Sequence, residues 1–202
     1  MADYYDVSSD PYIDQQTGVL HNKFGILDQD ELDDAESDIT SLEIAGLTVN
    51  GFTLLGTVSL ATYAQIHKQL FSDIYDWAGK FRVINIAKDA TKFCDYQFIS
   101  AEGEKIFDQL RQEDLLQRIV DKKEYTKRLA YYYSELNMLH PFREGNGRTL
   151  RTFISVLAMN SGGNIIAWDH MDPQENIDAC AYAAYHDESK VEHMLAKILD
   201  FA

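Results

Sequence analysis

Only three prolines, Pro11, Pro141 and Pro173, interrupt the 202-residue chain, and Pro141 alone falls between two strongly periodic apolar segments. Before it, Leu129, Tyr132, Tyr133, Leu136 and Leu139 recur at the three-and-four spacing of a helix buried on one face. After it, Leu150, Phe153, Ile154 and Leu157 repeat the pattern. Proline lacks an N–H, and it disfavours helical backbone in the residue before it. The chain must therefore leave a helix over about Lys123–Leu139 at His140 and begin another near Gly147. A short loop held between two well-buried helices is the firmest prediction the sequence makes.

The same periodicity extends to the rest. Asp28 or Asp30 is expected to cap a helix running to about Gly46, with acidic residues in its first turns where the helix dipole favours them. A second helix is expected from Ser59 to Tyr75, with Leu60, Tyr63, Ile66, His67 and Leu70 on one stripe, closed by Asp76-Trp77-Ala78-Gly79. The period then shortens to two over Phe81–Ile86, and Asp89-Ala90-Thr91 supplies a turn into Lys92-Phe93-Cys94, which predicts a small hairpin. Ser100 is read as the N-cap of a helix through about Leu116, with Ile106, Leu110 and Leu115 inward. Asp172 followed by Pro173 opens another helix, and the last carries Val191, Met194, Leu195 and Ile198. Residues 1–27 are turn-rich without sustained period and are expected to pack as an arm on a single domain, 28–202. The predicted architecture is an all-α bundle with one inserted β-hairpin.

Composition narrows the function classes. With 46% hydrophobic residues the chain is not disordered, and no apolar run approaches the roughly 20 residues of a membrane span. No signal peptide opens the chain. The balance of 18 basic against 33 acidic residues, a net charge of −15, argues against coating nucleic acid or an anionic membrane by bulk charge. Cys94 and Cys180 show no ligand spacing, which points to structural thiols in a reducing, cytoplasmic setting. Tyr131-Tyr132-Tyr133 and His67 are read as core packing, and His170, His186 and His193 show no metal-ligand spacing. Any anionic ligand must be held by local cations against the overall field.

The loop supplies such a locality. In His140-Pro141-Phe142-Arg143-Glu144-Gly145-Asn146-Gly147-Arg148-Thr149-Leu150-Arg151, the glycines permit close backbone approach, and their N–H groups at a helix start form an anion cradle. Arg148 and Arg151, three apart, place two guanidinium groups beside it, the side chain best suited to forked recognition of phosphate oxygens. Glu144 offers a hard oxygen for Mg²⁺, which binds one or two carboxylates together with phosphates. His140 is a titratable base at the loop's edge. No Gly-Lys-Ser/Thr follows the glycines, so this is neither a Walker loop nor a dinucleotide fingerprint.

The segment resembles the Fic-domain signature, His-x-Phe-x-Asp/Glu-Gly-Asn-Gly-Arg-x-x-Arg, and matches each defined position. Asp76-Trp77-Ala78-Gly79, the Lys88–Phe93 hairpin and the helix leading into His140 fall where that family has counterparts. The opening Asp10-Pro11-Tyr12 through Gly18-Val19 and Phe24-Gly25-Ile26 is similar to the start of toxin-type members. The resemblance implies a protein adenylyltransferase that moves AMP from ATP to a hydroxyl side chain of a target protein and releases pyrophosphate. It implies that His140 takes the hydroxyl proton and that Glu144 holds Mg²⁺. Gly145, Asn146, Gly147, Arg148 and Arg151 would bind the ATP phosphates, and Phe142 would anchor the loop in the core. It further implies that Lys88, Asp89, Ala90, Thr91, Lys92 and Phe93 form a flap along which the target segment adds as a strand.

Alternatives stay open at this stage: a Fic-fold nucleotide-binding or interaction module without turnover, or transfer of another phosphate-linked group such as phosphocholine or UMP. Kinase-type relatives carry lysine where this chain has Gly147. Many family members are blocked by a helix with Ser/Thr-x-x-x-Glu-Gly/Asn. Here the sole Ser/Thr followed four residues later by Glu is Ser100 with Glu104, and Lys105 comes next. Inhibition is therefore expected in trans, from a small antitoxin carrying that helix, its glutamate pairing with Arg151. Asp33, Asp34 and Glu36 are read as a solvated acidic face, with antitoxin docking as the alternative. The toxin-type resemblance implies DNA gyrase and topoisomerase IV as targets. It implies a bacterial cytoplasmic location, with translocation into a recipient or host cell as a variation, and no membrane or direct nucleic-acid binding.

Overall fold

In a computed structural model of the chain, residues 10–49, 58–88 and 91–202 are described. Seven α-helices lie among them: α1 (Gln29–Val49), α2 (Leu60–Phe71), α3 (Ile99–Gln112), α4 (Lys122–Leu139), α5 (Asn146–Asn160), α6 (Pro173–Ala183) and α7 (Ser189–Ile198). Helix α4 is central, packing against α3, α5, α6 and α7, while α2 lies between α1 and α5. Strands β1 (Ala87–Lys88) and β2 (Thr91–Lys92) form an antiparallel hairpin, with Ala87 opposite Lys92 and Lys88 opposite Thr91. No described helix is long and apolar enough to cross a membrane.

Local chemistry sets most boundaries. Asp28 accepts the Glu31 N–H at the start of α1, Ser59 that of Thr62 before α2, and Asp121 that of Glu124 before α4. Asp172 accepts from Gln174 and Glu175, with Pro173 in the first turn of α6. Each cap satisfies donors that a helix start leaves without an intrahelical partner. At the centre, Tyr63, Phe107 and Phe153 pack with ring centroids 5.5–5.9 Å apart, and Phe142 joins Tyr63 at 5.8 Å. The loop's own aromatic residue is thus part of the core it projects from.

Several expectations need correction. Phe81–Ile86 is irregular, and strand pairing begins only at Ala87, because the buried Arg82 turns its guanidinium onto the surrounding carbonyls. Helix α2 stops at Phe71 rather than Tyr75. Helix α3 starts at Ile99 and ends at Gln112, because Asp114, Leu115 and Leu116 all take positive φ. That turn buries Leu116 in place of Leu115. A second ribbon, β3 (Ile165–Ile166) with β4 (Leu199–Asp200), was not expected from the pattern. The arm, described from Asp10, folds back on itself through an Ile13–Leu20 bridge, and Lys23 N–H donates to the Ile74 carbonyl at 2.8 Å.

Candidate active site

The end of α4 prepares His140. Its N–H donates to the Leu136 carbonyl, closing the helix, while φ 41° and ψ 59° turn the chain out toward Pro141. Nδ1 lies 3.0 Å from the Asn137 carbonyl. A carbonyl only accepts, so Nδ1 carries the proton and Nε2 keeps its lone pair. The ring stacks on Phe93 at 3.7 Å. Burial, followed by nearby Arg82 and Lys88, pushes the imidazole down to about 3, so it is neutral at working pH. A neutral imidazole of fixed tautomer is the form a general base requires.

The loop that follows is tied from within. Asn146 accepts the Phe142 N–H at 2.9 Å and donates to the Phe142 carbonyl at 2.8 Å, so both ends of its side-chain amide close the loop. The Asn146 side chain therefore shapes the cradle, and its backbone N–H is what faces the helix start. Gly145 caps α5 at φ 78°, and a Cβ there would sit 2.3 Å from the Phe71 ring. Glycine is required both by conformation and by space. Gly147 lies exposed in the first turn of α5, with only Arg151 Nη1 near a hypothetical Cβ, at 3.3 Å. Phe142 is fully buried, its ring 3.8 Å from that of His67.

The two arginines diverge. Arg148 is gripped by Glu36 of α1, approaches Glu144 at 3.7 Å, and lies over the Phe71 ring at 4.8 Å. Glu36 is buried and also accepts the Tyr75 hydroxyl, so its assignment to a solvated face is corrected; Asp33 and Asp34 are exposed. Arg151 turns instead toward Tyr133, whose hydroxyl donates to Asn176 of α6 at 2.8 Å. Among the described residues no carboxylate forms an ion pair with Arg151.

Glu144 Oε1 accepts the Gly145 N–H at 2.7 Å. Burial, with the Glu36 carboxylate next, pushes its carboxyl above the usual carboxylate range. Among the described residues no group of three or more His, Cys, Asp or Glu converges. One carboxylate beside an anion cradle fits Mg²⁺ carried by a polyphosphate, rather than an all-protein cage.

The hairpin stands over His140 through Phe93, and the Cys94 N–H donates to the Met138 carbonyl at 2.9 Å. Lys88, Thr91 and Lys92 pair there, whereas Asp89 and Ala90 lie outside the described residues. Sequence reasoning missed two supports of this site. Arg82, 2% exposed, donates to the carbonyls of His140 at 2.8 Å, Ile84 at 2.7 Å and Cys94, joining the loop after α4 to the hairpin's base. Arg143 Nε, at an undefined position of the motif, donates to Asp10 of the arm at 2.9 Å with both side chains buried. An arginine set among the apolar residues of the short run Phe81–Ile86 was the available signal for Arg82; nothing local announces the pairing of Arg143.

A family model described as "Fic/DOC family" matches residues 57–158. Protein adenylyltransferase VbhT of Bartonella schoenbuchensis is 41% identical over 195 residues, covering 96% of this chain and 40% of VbhT. The chain thus spans well under half of that relative's length. An Escherichia coli protein described as "Probable protein adenylyltransferase Fic" is 32% identical over 202 residues, 100% of this chain and 98% of its own. Among solved structures, the BepC protein of Bartonella tribocorum with bound AMPPNP superposes with a TM-score of 0.85 at 22% identity, covering 95% of this chain and 97% of that one. An ADP-bound N-terminal Fic domain from Bartonella quintana superposes at 0.87, also 22% identical, over 94% of both chains.

Proposed function

The chain belongs to the Fic/DOC family, and from that premise we propose that it is a protein adenylyltransferase. The observation that carries this reading is the His140 imidazole, neutral and with Nε2 as acceptor, at the edge of a helix-start anion cradle and under a strand hairpin. The hydroxyl oxygen of a target residue attacks the α-phosphorus of ATP. Its proton passes to His140 Nε2, and the bond from the α-phosphorus to the bridging oxygen breaks, releasing pyrophosphate. The N–H groups of the α5 start, with Arg148 and Arg151, hold phosphate oxygens and balance charge as it shifts toward the leaving group. Glu144 would hold Mg²⁺, which when bound neutralises phosphate charge. The open edges of β1 and β2 offer backbone hydrogen bonds to an extended target segment and orient its hydroxyl toward His140.

In finer detail, the reading extends to the toxin half of a bacterial toxin–antitoxin pair acting on DNA gyrase and topoisomerase IV, restrained by a small antitoxin. Support comes from Arg151, which has no carboxylate partner among the described residues and so leaves a place for an incoming glutamate. Incubation with bacterial lysate and ATP labelled at the α- or the γ-phosphate tests the chemistry. Protein-bound α label without γ label is expected, and it disappears in His140→Ala. Label from γ alone makes the chain a kinase, and no label with bound ATP makes it a binding module. The gyrase and topoisomerase subunits among the labelled proteins, or their absence, decide the target.

A further inference from the structure

The Glu144–Gly145 peptide unit is the first wall of the cradle; the loop ties its N–H end to the Glu144 carboxylate, while its carbonyl end is met from outside the loop. Glycine at 145 leaves rotation about the flanking bonds cheap. In a trans peptide the carbonyl of one residue and the N–H of the next point in opposite directions. If this unit rotated by half a turn, a carbonyl oxygen would replace an N–H at the start of α5, and an anion would meet a negative dipole instead of a donor.

His67, from α2, meets that unit. The residue is fully buried, with its ring stacked on Phe142 at 3.8 Å and on Phe71 at 4.7 Å. The Gly79 N–H lies 2.9 Å from Nδ1, and Nε2 lies 3.0 Å from the Glu144 carbonyl. An N–H only donates, so Nδ1 must accept; Nε2 therefore carries the proton and donates to Glu144. With the Glu144 carbonyl turned to His67, the Gly145 N–H points the other way, where the Glu144 carboxylate now receives it at 2.7 Å.

We infer that His67 is a positioning residue for phosphate binding: as the neutral Nε2–H tautomer it clamps the Glu144 carbonyl and so keeps the Gly145 N–H aimed into the cradle. The ring ties three segments together, namely α2, the Asp76–Gly79 turn and the catalytic loop. The Gly79 N–H, which can only donate, keeps Nδ1 an acceptor. The inference deepens the adenylyltransferase reading and rests on it for its role in turnover, but not for its role in binding.

Two substitutions separate clamping from mere packing. In His67→Gln the amide nitrogen falls where Nε2 was and keeps a donor for Glu144. In His67→Asn the shorter amide keeps an acceptor for Gly79 and leaves Glu144 without a donor. Binding of inorganic tripolyphosphate, measured by calorimetry, is expected to weaken about tenfold or more in His67→Asn and to recover in His67→Gln. Equal losses in the two variants, or no loss in either, overturn the inference, as does a wild-type chain that binds no tripolyphosphate. The ¹⁵N spectrum of the wild-type imidazole gives a check independent of any variant. Protonation at Nε2 is expected, and protonation at Nδ1 overturns the clamp. A wild-type chain that shows this binding pattern yet transfers no α label refutes the adenylyltransferase reading while leaving the clamp intact.

Discussion

The Glu36 carboxylate of α1 closes on the Arg148 guanidinium of α5, and the Tyr75 hydroxyl donates to the same carboxylate. The first motif arginine is therefore held before any phosphate arrives, which lowers the ordering cost of binding but also sets a negative charge beside an anion site. Glu36→Gln is expected to keep the contact geometry and remove that charge. With the charge screened by the water that fills the open site, this amounts to about 1 kcal/mol, roughly fivefold tighter ATP binding by calorimetry. Glu36→Ala is expected to lower unfolding free energy by about 1–3 kcal/mol. That is less than for a fully buried pair, because the Arg148 side chain remains 24% exposed and can recruit water. Unchanged ATP affinity in Glu36→Gln would sink the charge argument.

Gly145 and Gly147 look alike in the motif but are held differently. Gly145→Ala puts a methyl group 2.3 Å from the Phe71 ring on a residue at φ 78°. The left-handed backbone and the overpacking together are expected to cost about 2–4 kcal/mol in chemical denaturation and to abolish tripolyphosphate binding. Gly147→Ala meets only the movable end of Arg151 and gains helix propensity. Its stability should match or exceed that of the wild type. A thermal shift of the same size for both substitutions would contradict this distinction.

Arg82 carries the connection between the His140 loop and the hairpin, so its loss should be felt at both. Arg82→Met keeps much of the volume but leaves the His140, Ile84 and Cys94 carbonyls without their donor. The three carbonyls are partly buried, so each left unpaired costs about 1 kcal/mol, and a total destabilisation of about 2–3 kcal/mol is expected. Hydrogen exchange should then rise at the Phe93 and Cys94 amides, which bond Ile86 and Met138. Exchange confined to other regions would mean that Arg82 does not support the hairpin.

What was legible in the sequence, and what was not, divides by the range of the interaction. Ser59 and Asp172 announce helix starts because a cap acts over two or three residues, and the stripe Val191, Met194, Leu195, Ile198 is buried as its spacing implies. The loop glycines, Pro141 and the motif arginines were readable because their chemistry is local to one segment. Glu36 was misread because its partner lies 112 positions away, and an acidic residue among acidic neighbours looks solvated. The same distance problem hid Asp10, 133 positions from Arg143, and Arg82, 58 from His140. His67 was correctly placed on an apolar face, but that face does not reveal that the ring's two nitrogens meet two other segments.

Both imidazoles, His67 buried and His140 half-buried, should shape the response to acid. In the folded chain His140 is held down to about 3 and His67 to about 4, against an ordinary value of 6.5 in the unfolded chain. Arg82 and Lys88 face the first, and Arg148 the second; these cations reinforce burial. Between these limits the unfolded state binds protons that the folded state refuses, so stability falls as pH drops through 6.5 and continues to fall to about 4 on account of His67 and about 3 on account of His140. The slope contributed by each imidazole approaches ~1.4 kcal/mol per pH unit. Chemical denaturation at stepped pH should show this decline, and His140→Gln should shallow it by about one proton's worth. The catalytic consequence runs the other way. Because His140 stays neutral in the fold well below pH 6.5, its loss of base function should not limit the transfer rate at pH 5–6, provided the chain is still folded. An acid limb of the transfer rate that centres on 6.5, measured with unfolding excluded by circular dichroism, would show that His140 is protonated at an ordinary value and is not held as the structure has it.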